Sequence, residues 1–406
     1  MDVSAIERCT GLSFHEFLRE YWGRSPFVAR AVSSSGFVDI VSSEDIDAFL
    51  SVSGLRSTFL KIVNQGVPVP MENYTTQGKV GADRLSDLID PDAVARYWDR
   101  GSSLIIRSLH RIWSPLASLS ARLGRELASP VTATAYITPA HARALPAHYD
   151  THDVFVLQIQ GSKRWVIHEP VVELPGPEQQ GRDISVAVHE RPLLDLVLQA
   201  GDALYLPRGF IHAPEALDDT SIHVTLGVPA FTWADAIGGL VSEIVAAMPA
   251  FRASVPLDDE PEHGFSLMLN LLRDELGNID QEQSRTAFLR ILKSKTPHQP
   301  LPVLGRSYEA KELRVDTSVE PRFGPRIAKI EQSKGAALVM CNGRTMKFPA
   351  ALLPHLRDAL DARVTAQVLA ARHDGPSAED VRKMLVHLVL NGLLRPVCSF
   401  PQAVDE

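Results

Sequence analysis

The sequence predicts an α+β protein built on an antiparallel β-sandwich or barrel, with helices before and after it. Three observations carry that expectation. Short runs rich in β-branched and aromatic residues, at 131–138, 154–160, 164–168, 203–206 and 222–228, follow one another with turn residues and no helical stretch between them. Helical periodicity precedes this block and resumes after Phe231. The protein, 406 residues and 45% hydrophobic, is long enough for two or three domains with cores of their own.

Each element has a local reason. Over 13–21, Phe14, Phe17, Leu18 and Tyr21 recur at helical spacing, and Ser13 is a candidate cap. Residues 104–106 are β-prone. From Pro115, which suits a first turn, Leu116, Leu119 and Leu123 share one helix face. The run 131–138 ends at Pro139, 154–160 breaks at Gly161, and 164–168 stops before Pro170. After Phe231, helical patterns occupy 234–248, 265–276 and 285–292. An acidic, proline-containing stretch at 256–262 reads as a loop, and the proline-rich 296–302 as a boundary. Near the end, Ser377-Ala378-Glu379-Asp380 resembles a capping box. It opens a helix that lines up Val381, Met384, Leu385, Leu388 and Val389 and stops at Asn391-Gly392. These signals divide the sequence into 1–230, 231–300 and 301–406, without repeats or low-complexity tracts.

A net charge of −8 and a pI near 6.0 argue against wholesale electrostatic binding to nucleic acid or to an anionic membrane. Residues 301–406 carry fifteen Lys and Arg against twelve Asp and Glu, far from the basic stripe of a DNA reader. The three cysteines, Cys9, Cys341 and Cys398, are widely separated, which fits a reducing compartment better than a disulfide framework. No basic leader precedes an apolar stretch, and no apolar run approaches a bilayer crossing. A soluble cytoplasmic protein is the expectation.

Chemistry concentrates in two stretches. Pro146-Ala147-His148-Tyr149-Asp150 sets His and Asp two positions apart just before a strand. Residues 201–212, Gly-Asp-Ala-Leu-Tyr-Leu-Pro-Arg-Gly-Phe-Ile-His, end in His212 after a turn that closes another strand. Alternate residues of an extended segment point to one side, so His148 and Asp150 can reach one ion together. His212 must arrive from elsewhere in the barrel, swung across by the Pro207-Arg208-Gly209 turn. Two imidazoles and one carboxylate form the facial triad that holds non-haem Fe(II) while leaving positions open, the mark of an oxygen-using iron enzyme. His-x-Asp alone is weak in a protein with 14 histidines. Its weight comes from the strand beside it and the third histidine.

Together with Val-Phe-Val-Leu-Gln-Ile-Gln-Gly-Ser-Lys-Arg-Trp at 154–165, these motifs resemble the JmjC-type 2-oxoglutarate oxygenases. More narrowly, they resemble the ribosomal oxygenase branch, which hydroxylates ribosomal proteins. The resemblance rests on motifs up to about residue 230 and on domain order beyond. It implies a double-stranded β-helix (cupin or jelly-roll) barrel with flanking helices, then a helical dimerisation segment and a winged-helix domain, in a homodimer. It implies Fe(II) on His148, Asp150 and His212, with 2-oxoglutarate as cosubstrate. Lys163, fifteen positions after His148, would pair with the distal carboxylate of that cosubstrate. By residue type alone Lys163 reads as a solvated turn lysine. Tyr136 matches a family tyrosine near cosubstrate and substrate, and reads equally as a core tyrosine. Thr225 could give its hydroxyl to the same carboxylate or be an ordinary strand threonine. Arg208 rims the pocket or is an exposed turn arginine. Phe155, Leu157 and Trp165 wall the pocket or simply fill the core. His152 and His168 break the family spacing and are not counted as ligands.

The implied activity is hydroxylation of a C–H bond on a protein side group, His or Arg of a ribosomal protein, coupled to oxidative decarboxylation of 2-oxoglutarate. Two alternatives stand beside it. One is the same chemistry on a small molecule or peptide natural product. The other is a non-catalytic cupin-like binding or regulatory protein whose C-terminal unit touches DNA. Thr134 replaces an Asn frequent in that branch, and 140–145 replaces a Gly-rich, Phe-containing approach. Both border the substrate mouth in the family, so the substrate stays open.

Overall fold

The structure is a computed structural model that describes residues 4–32, 37–51, 54–179, 181–182, 191–255, 261–295, 304–322, 329–333, 335–341 and 344–397. The molecule divides into two compact units, Met1–Pro297 and His298–Glu406. In the first, the strands are β1 (Phe27–Ala29), β2 (Leu60–Asn64), β3 (Val67–Pro68), β4 (Thr75–Val80), β5 (Asp83–Ile89), β6 (Ser103–Ile106), β7 (Thr132–Thr138) and β8 (His148–Tyr149). They continue with β9 (Asp153–Gln160), β10 (Ser162–His168), β11 (Gly181–Arg182), β12 (Leu194–Gln199), β13 (Ala203–Leu206), β14 (Ile211–Ala216) and β15 (Ser221–Val228). Eight build one sheet, in the order β1-β13-β9-β15-β7-β6-β2-β3, and five build another, β11-β8-β14-β10-β12. The successive strands β9 and β10, like β13 and β14, lie in different sheets, so the backbone winds between them as a jelly roll does.

Period-two alternation explains the layers. In β9, Phe155, Leu157 and Ile159 join a large core with Ile6 of α1 (Ala5–Thr10), Phe17 of α2 (Phe14–Glu20), Phe49 of α3 (Ser43–Ser51), Val94 of α4 (Pro91–Asp99) and Leu116, Leu119 and Leu123 of α5 (Ser114–Glu126). Val154 and Val156 face the other way, into a smaller cluster with Trp165, Ile167, Leu198, Leu204, Leu206 and Phe210. Burial on both faces is why 154–160 reads as a near-continuous apolar run. It also corrects one expectation: Phe155 and Leu157 pack outward on the helices, and Val154 and Val156 wall the interior. Parity along the strand decides which, since each single step changes face.

Glycine is demanded at two turns. Gly161 joins β9 to β10 at φ +64°, and a Cβ there would collide with the carbonyl oxygen of Thr220. Gly209, at φ +91°, lies against the Val172 carbonyl in the turn that leads from β13 to β14.

Most expected elements appear with small shifts at their ends. Ser13 caps α2 by accepting from the Glu16 amide at 3.3 Å. The helices after the barrel are α6 (Trp233–Ala247), α7 (Pro261–Gly277) and α8 (Gln281–Lys295). Helix α7 begins at Pro261, with Glu262 in its first turn, so these two belong to a helix rather than to the expected loop. The rest of that loop (256–260), the expected boundary at 296–302 and Cys398 lie outside the described residues. Cys9 is a free thiol, and both it and Cys341 are buried.

The second unit centres on one apolar cluster that includes Val319, Val339, Leu356, Leu369, Leu385 and Leu388. Its helix at Ala378–Leu390 opens with the expected box: Ser377 Oγ accepts from the Asp380 amide, and the Asp380 carboxylate accepts from the Ser377 amide. Val381, Met384, Leu385, Leu388 and Val389 are its buried face. Among the described residues, no helix is long and apolar enough to cross a membrane.

Candidate active site

The two motif stretches meet inside the barrel. Strands β8 and β14 are antiparallel neighbours, and His148 and His212 are directly opposed across them. Opposed residues present their side chains on one face, and Asp150 returns to that face two positions on. The turn is tied to the first motif as well, because the Gly209 amide donates to the Asp150 carbonyl at 3.0 Å. One donor atom from each of His148, Asp150 and His212 lies within 4.8 Å of the others. His212 Nε2 stands 3.9 Å from Asp150 Oδ2, and the imidazole centroids are 4.3 Å apart.

Both rings are oriented in the same way. His148 Nδ1 contacts the Pro146 carbonyl at 2.8 Å, and His212 Nδ1 contacts the Phe210 carbonyl at 3.1 Å. A carbonyl oxygen only accepts, so each Nδ1 carries a proton, and in the neutral ring that tautomer leaves Nε2 with a lone pair. Burial, and then the neighbouring His148, push the His212 pKa down to about 4, which keeps that imidazole neutral. Two neutral nitrogens and one carboxylate at this separation are a donor set suited to a divalent iron.

Lys163 is 1% exposed, which settles its reading as a solvated turn residue in the negative. Its Nζ donates to Thr138 Oγ1 at 2.9 Å and lies 3.5 Å from His223 Nδ1. No carboxylate among the described residues pairs with it, and desolvation lowers its pKa to about 7. A buried cation without an anion is costly. A dicarboxylate entering the pocket would supply the missing charge. Trp165 lines the same pocket, and its Nε1 is also buried without a partner. The residues present therefore fit such an anion.

Tyr136, Lys163, Trp165 and Thr225 line one pocket with His148, Asp150 and His212. Tyr136 stacks on His223, with centroids 4.8 Å apart and planes within 4°. His223 is fully buried, and desolvation followed by the Lys163 charge drives its pKa well down. Thr138 and His223 are the polar partners that sequence reasoning missed. Alternation could have found them: Thr138 is two beyond Tyr136 on β7, and His223 is two before Thr225 on β15.

Arg208 is no exposed turn residue. Its side chain is 12% exposed and pairs at 3.3 Å with Asp153 Oδ2. Asp153 Oδ1 also accepts from the Arg208 amide and from Tyr205 Oη, each at 3.2 Å. Desolvation raises the Asp153 pKa against the pull of Arg208. This knot fixes the turn that delivers His212.

Fold and geometry define a class: a double-sheet cupin-type barrel enclosing two histidines and one carboxylate. Residues 111–236 match the family model of the JmjC domain. The bifunctional lysine-specific demethylase and histidyl-hydroxylase NO66 of Drosophila persimilis is 32% identical over 219 residues, covering 52% of this protein and 29% of that one. Ribosomal oxygenase 1 of Gallus gallus is 30% identical over 218 residues, covering 52% of this protein and 34% of that one. The sequence thus spans about a third of the length of these relatives. Among solved structures, YcfD, a ribosomal oxygenase from Escherichia coli in complex with cobalt and 2-oxoglutarate, shares the fold over 96% of this protein and 99% of its own length. The TM-score is 0.52 at 19% identity.

Proposed function

We propose that this protein is an Fe(II)- and 2-oxoglutarate-dependent oxygenase that hydroxylates a C–H bond on a protein side group, with a ribosomal protein as substrate class. The observation that carries the reading is the pairing of three convergent donors with a buried Lys163 that has no carboxylate partner among the described residues, all in one pocket. His148, Asp150 and His212 would hold the metal through the two freed Nε2 atoms and the carboxylate. Lys163, assisted by Thr138, would hold the far carboxylate of the cosubstrate, with Tyr136 and Thr225 along the pocket wall. When bound, metal and cosubstrate together supply the oxidising power, by oxidative decarboxylation that yields succinate and carbon dioxide. The protein's own part is orientation and shelter. The two backbone carbonyls fix the imidazole tautomers, the Asp153–Arg208 pair fixes the turn, and Val154, Val156 and Trp165 keep water from the centre.

The same reading takes α6–α8 as a dimerisation segment and 301–406 as a winged-helix-like domain of a cytoplasmic homodimer. Trp233, Ile237, Phe265 and Leu267 support the first part, being strongly exposed apolar side chains on α6 and α7. The test is succinate formation dependent on Fe(II) and 2-oxoglutarate, with ribosomal proteins from a strain lacking the gene as substrate and mass spectrometry as readout. Oxygen added to one such protein is the expected result. Absence of succinate under any condition would overturn the reading.

A further inference from the structure

Behind the lysine end of the pocket lies a closed ring of buried polar side chains. Gln158 of β9, Lys163 of β10, Thr138 of β7, and Ser221 and His223 of β15 make it, each at most 2% exposed. Gln158 Nε2 donates to Ser221 Oγ at 2.9 Å, and Ser221 is directly opposed to Thr138. Thr138 Oγ1 accepts from Lys163 Nζ, which lies 3.5 Å from His223 Nδ1. His223 is opposed to Gln158, which closes the ring. Polar groups buried this deeply are costly unless they hold one another.

Gln158 sits where the ladder slips. Between β15 and β9, Val224 faces Leu157 and His223 faces Gln158, but Ile222 faces Gln160, so Ile159 is the extra residue of a bulge. A bulge disrupts the ladder and re-aims the side chains beside it. Gln158 Nε2 donates to the Gln160 carbonyl at 2.9 Å as well as to Ser221, and so spans the slip. A carbonyl only accepts, so this contact fixes which end of the carboxamide is nitrogen. Its Oε1 is buried without a donor among the described residues. The Gln158 backbone is committed to another turn, its amide to the Asp202 carbonyl at 3.0 Å and its carbonyl to the Gly201 amide at 2.9 Å.

Resting on the oxygenase reading above, we infer that Gln158 is a positioning residue for the cosubstrate. By clasping Gln160 and Ser221 it holds the bulge, and with it the Thr138, Lys163 and His223 group that would receive the far carboxylate. Gln158 is not among the residues lining the metal pocket, so it acts through Lys163. It therefore governs cosubstrate affinity and leaves metal affinity and the rate at saturation alone.

The test titrates the full-length protein without oxygen, first with Fe(II) and then, iron-loaded, with 2-oxoglutarate; kcat for succinate is read separately at saturating cosubstrate. Gln158→Met keeps the length of the side chain and removes its donors. It should raise the Kd for 2-oxoglutarate about tenfold, the usual effect of an outer partner, with Fe(II) affinity and kcat within about twofold of wild type. Gln158→Glu sets a carboxylate in the ring with Lys163, where it competes with the cosubstrate, and should raise that Kd by more than about 100-fold. Ser221→Ala takes only a hydroxyl and should raise it about threefold, which carries the test if circular dichroism shows the Gln158 variants unfolded. Cosubstrate affinity unmoved in the folded variants, or Fe(II) affinity falling by the same factor, would overturn the inference. A wild-type protein that binds no 2-oxoglutarate would mean that the oxygenase reading itself has failed.

Discussion

The barrel interior and the unit His298–Glu406 bury opposite kinds of side chain. Among the described residues of the second unit the buried set is apolar apart from His355, and charged residues pair on the surface, as Arg382 does with Glu379. Inside the barrel, Lys163, His212 and His223 are all at most 4% exposed, and the lysine has no acid partner among the described residues. Apolar burial stabilises a fold, and an uncompensated buried cation works against it. This contrast points to the barrel, because among the described residues it alone buries a lysine, and no carboxylate offsets that charge. Substitutions should therefore separate the regions. In the second unit they lower stability alone, and in the barrel they move activity and stability independently.

The sharpest break is at the metal. His148→Ala should lower succinate formation by more than about 100-fold while leaving the circular dichroism of the barrel intact. Full activity in that variant would remove the cluster from the chemistry. Next comes the knot behind the turn. Arg208→Ala leaves Asp153 buried without its cation and should cost about 3 kcal/mol in urea unfolding. A change near zero would mean that the pair does not hold the turn.

Lys163→Met should raise the apparent KM for 2-oxoglutarate by about 10- to 100-fold, the value of a charged hydrogen bond. The same change should stabilise the ligand-free protein, because a buried cation is replaced by an apolar group of similar length. The pH dependence fixes the sign. Folded Lys163 titrates at about 7, and an unfolded lysine holds its proton to about 10.4. Between those values the unfolded state binds more protons, so stability should rise with pH, by up to about 1.4 kcal/mol per unit. Equilibrium unfolding from pH 7.5 to 9.5 should show that rise in the wild type and lose it in the variant. The smallest effect belongs to the second unit: Ser377→Ala removes a helix cap and should cost about 1 kcal/mol without altering succinate formation.

Much of this was legible in the residues. The runs 131–138 and 222–228 carry enough β-branched residues to declare themselves, and Ser377 with Asp380 marks a helix start outright. His148, Asp150 and His212 could be joined because an extended strand puts alternate residues on one side. What stayed hidden depended on which sheet face is outward. Along Thr132–Thr138, Ala133, Ala135 and Ile137 meet the helix-covered core, and Tyr136 and Thr138 face the pocket. His223 faces the same pocket from β15, and nothing in its own run marks it. The short elements between residues 22 and 103 left too little periodicity to read, and β8, only two residues long, exists through its pairing with β14 and β11.

If three separated side chains hold one ferrous ion beside a lysine-anchored keto diacid, binding of the two ligands must be linked. Anaerobic calorimetric titration of the metal-free protein with Fe(II) and 2-oxoglutarate reads that linkage. The expected result is one ion and one cosubstrate per molecule, with cosubstrate binding strengthened by the metal and both lost together in His148→Ala. Cosubstrate that binds equally well without metal, or iron that binds equally well without His148, would contradict it.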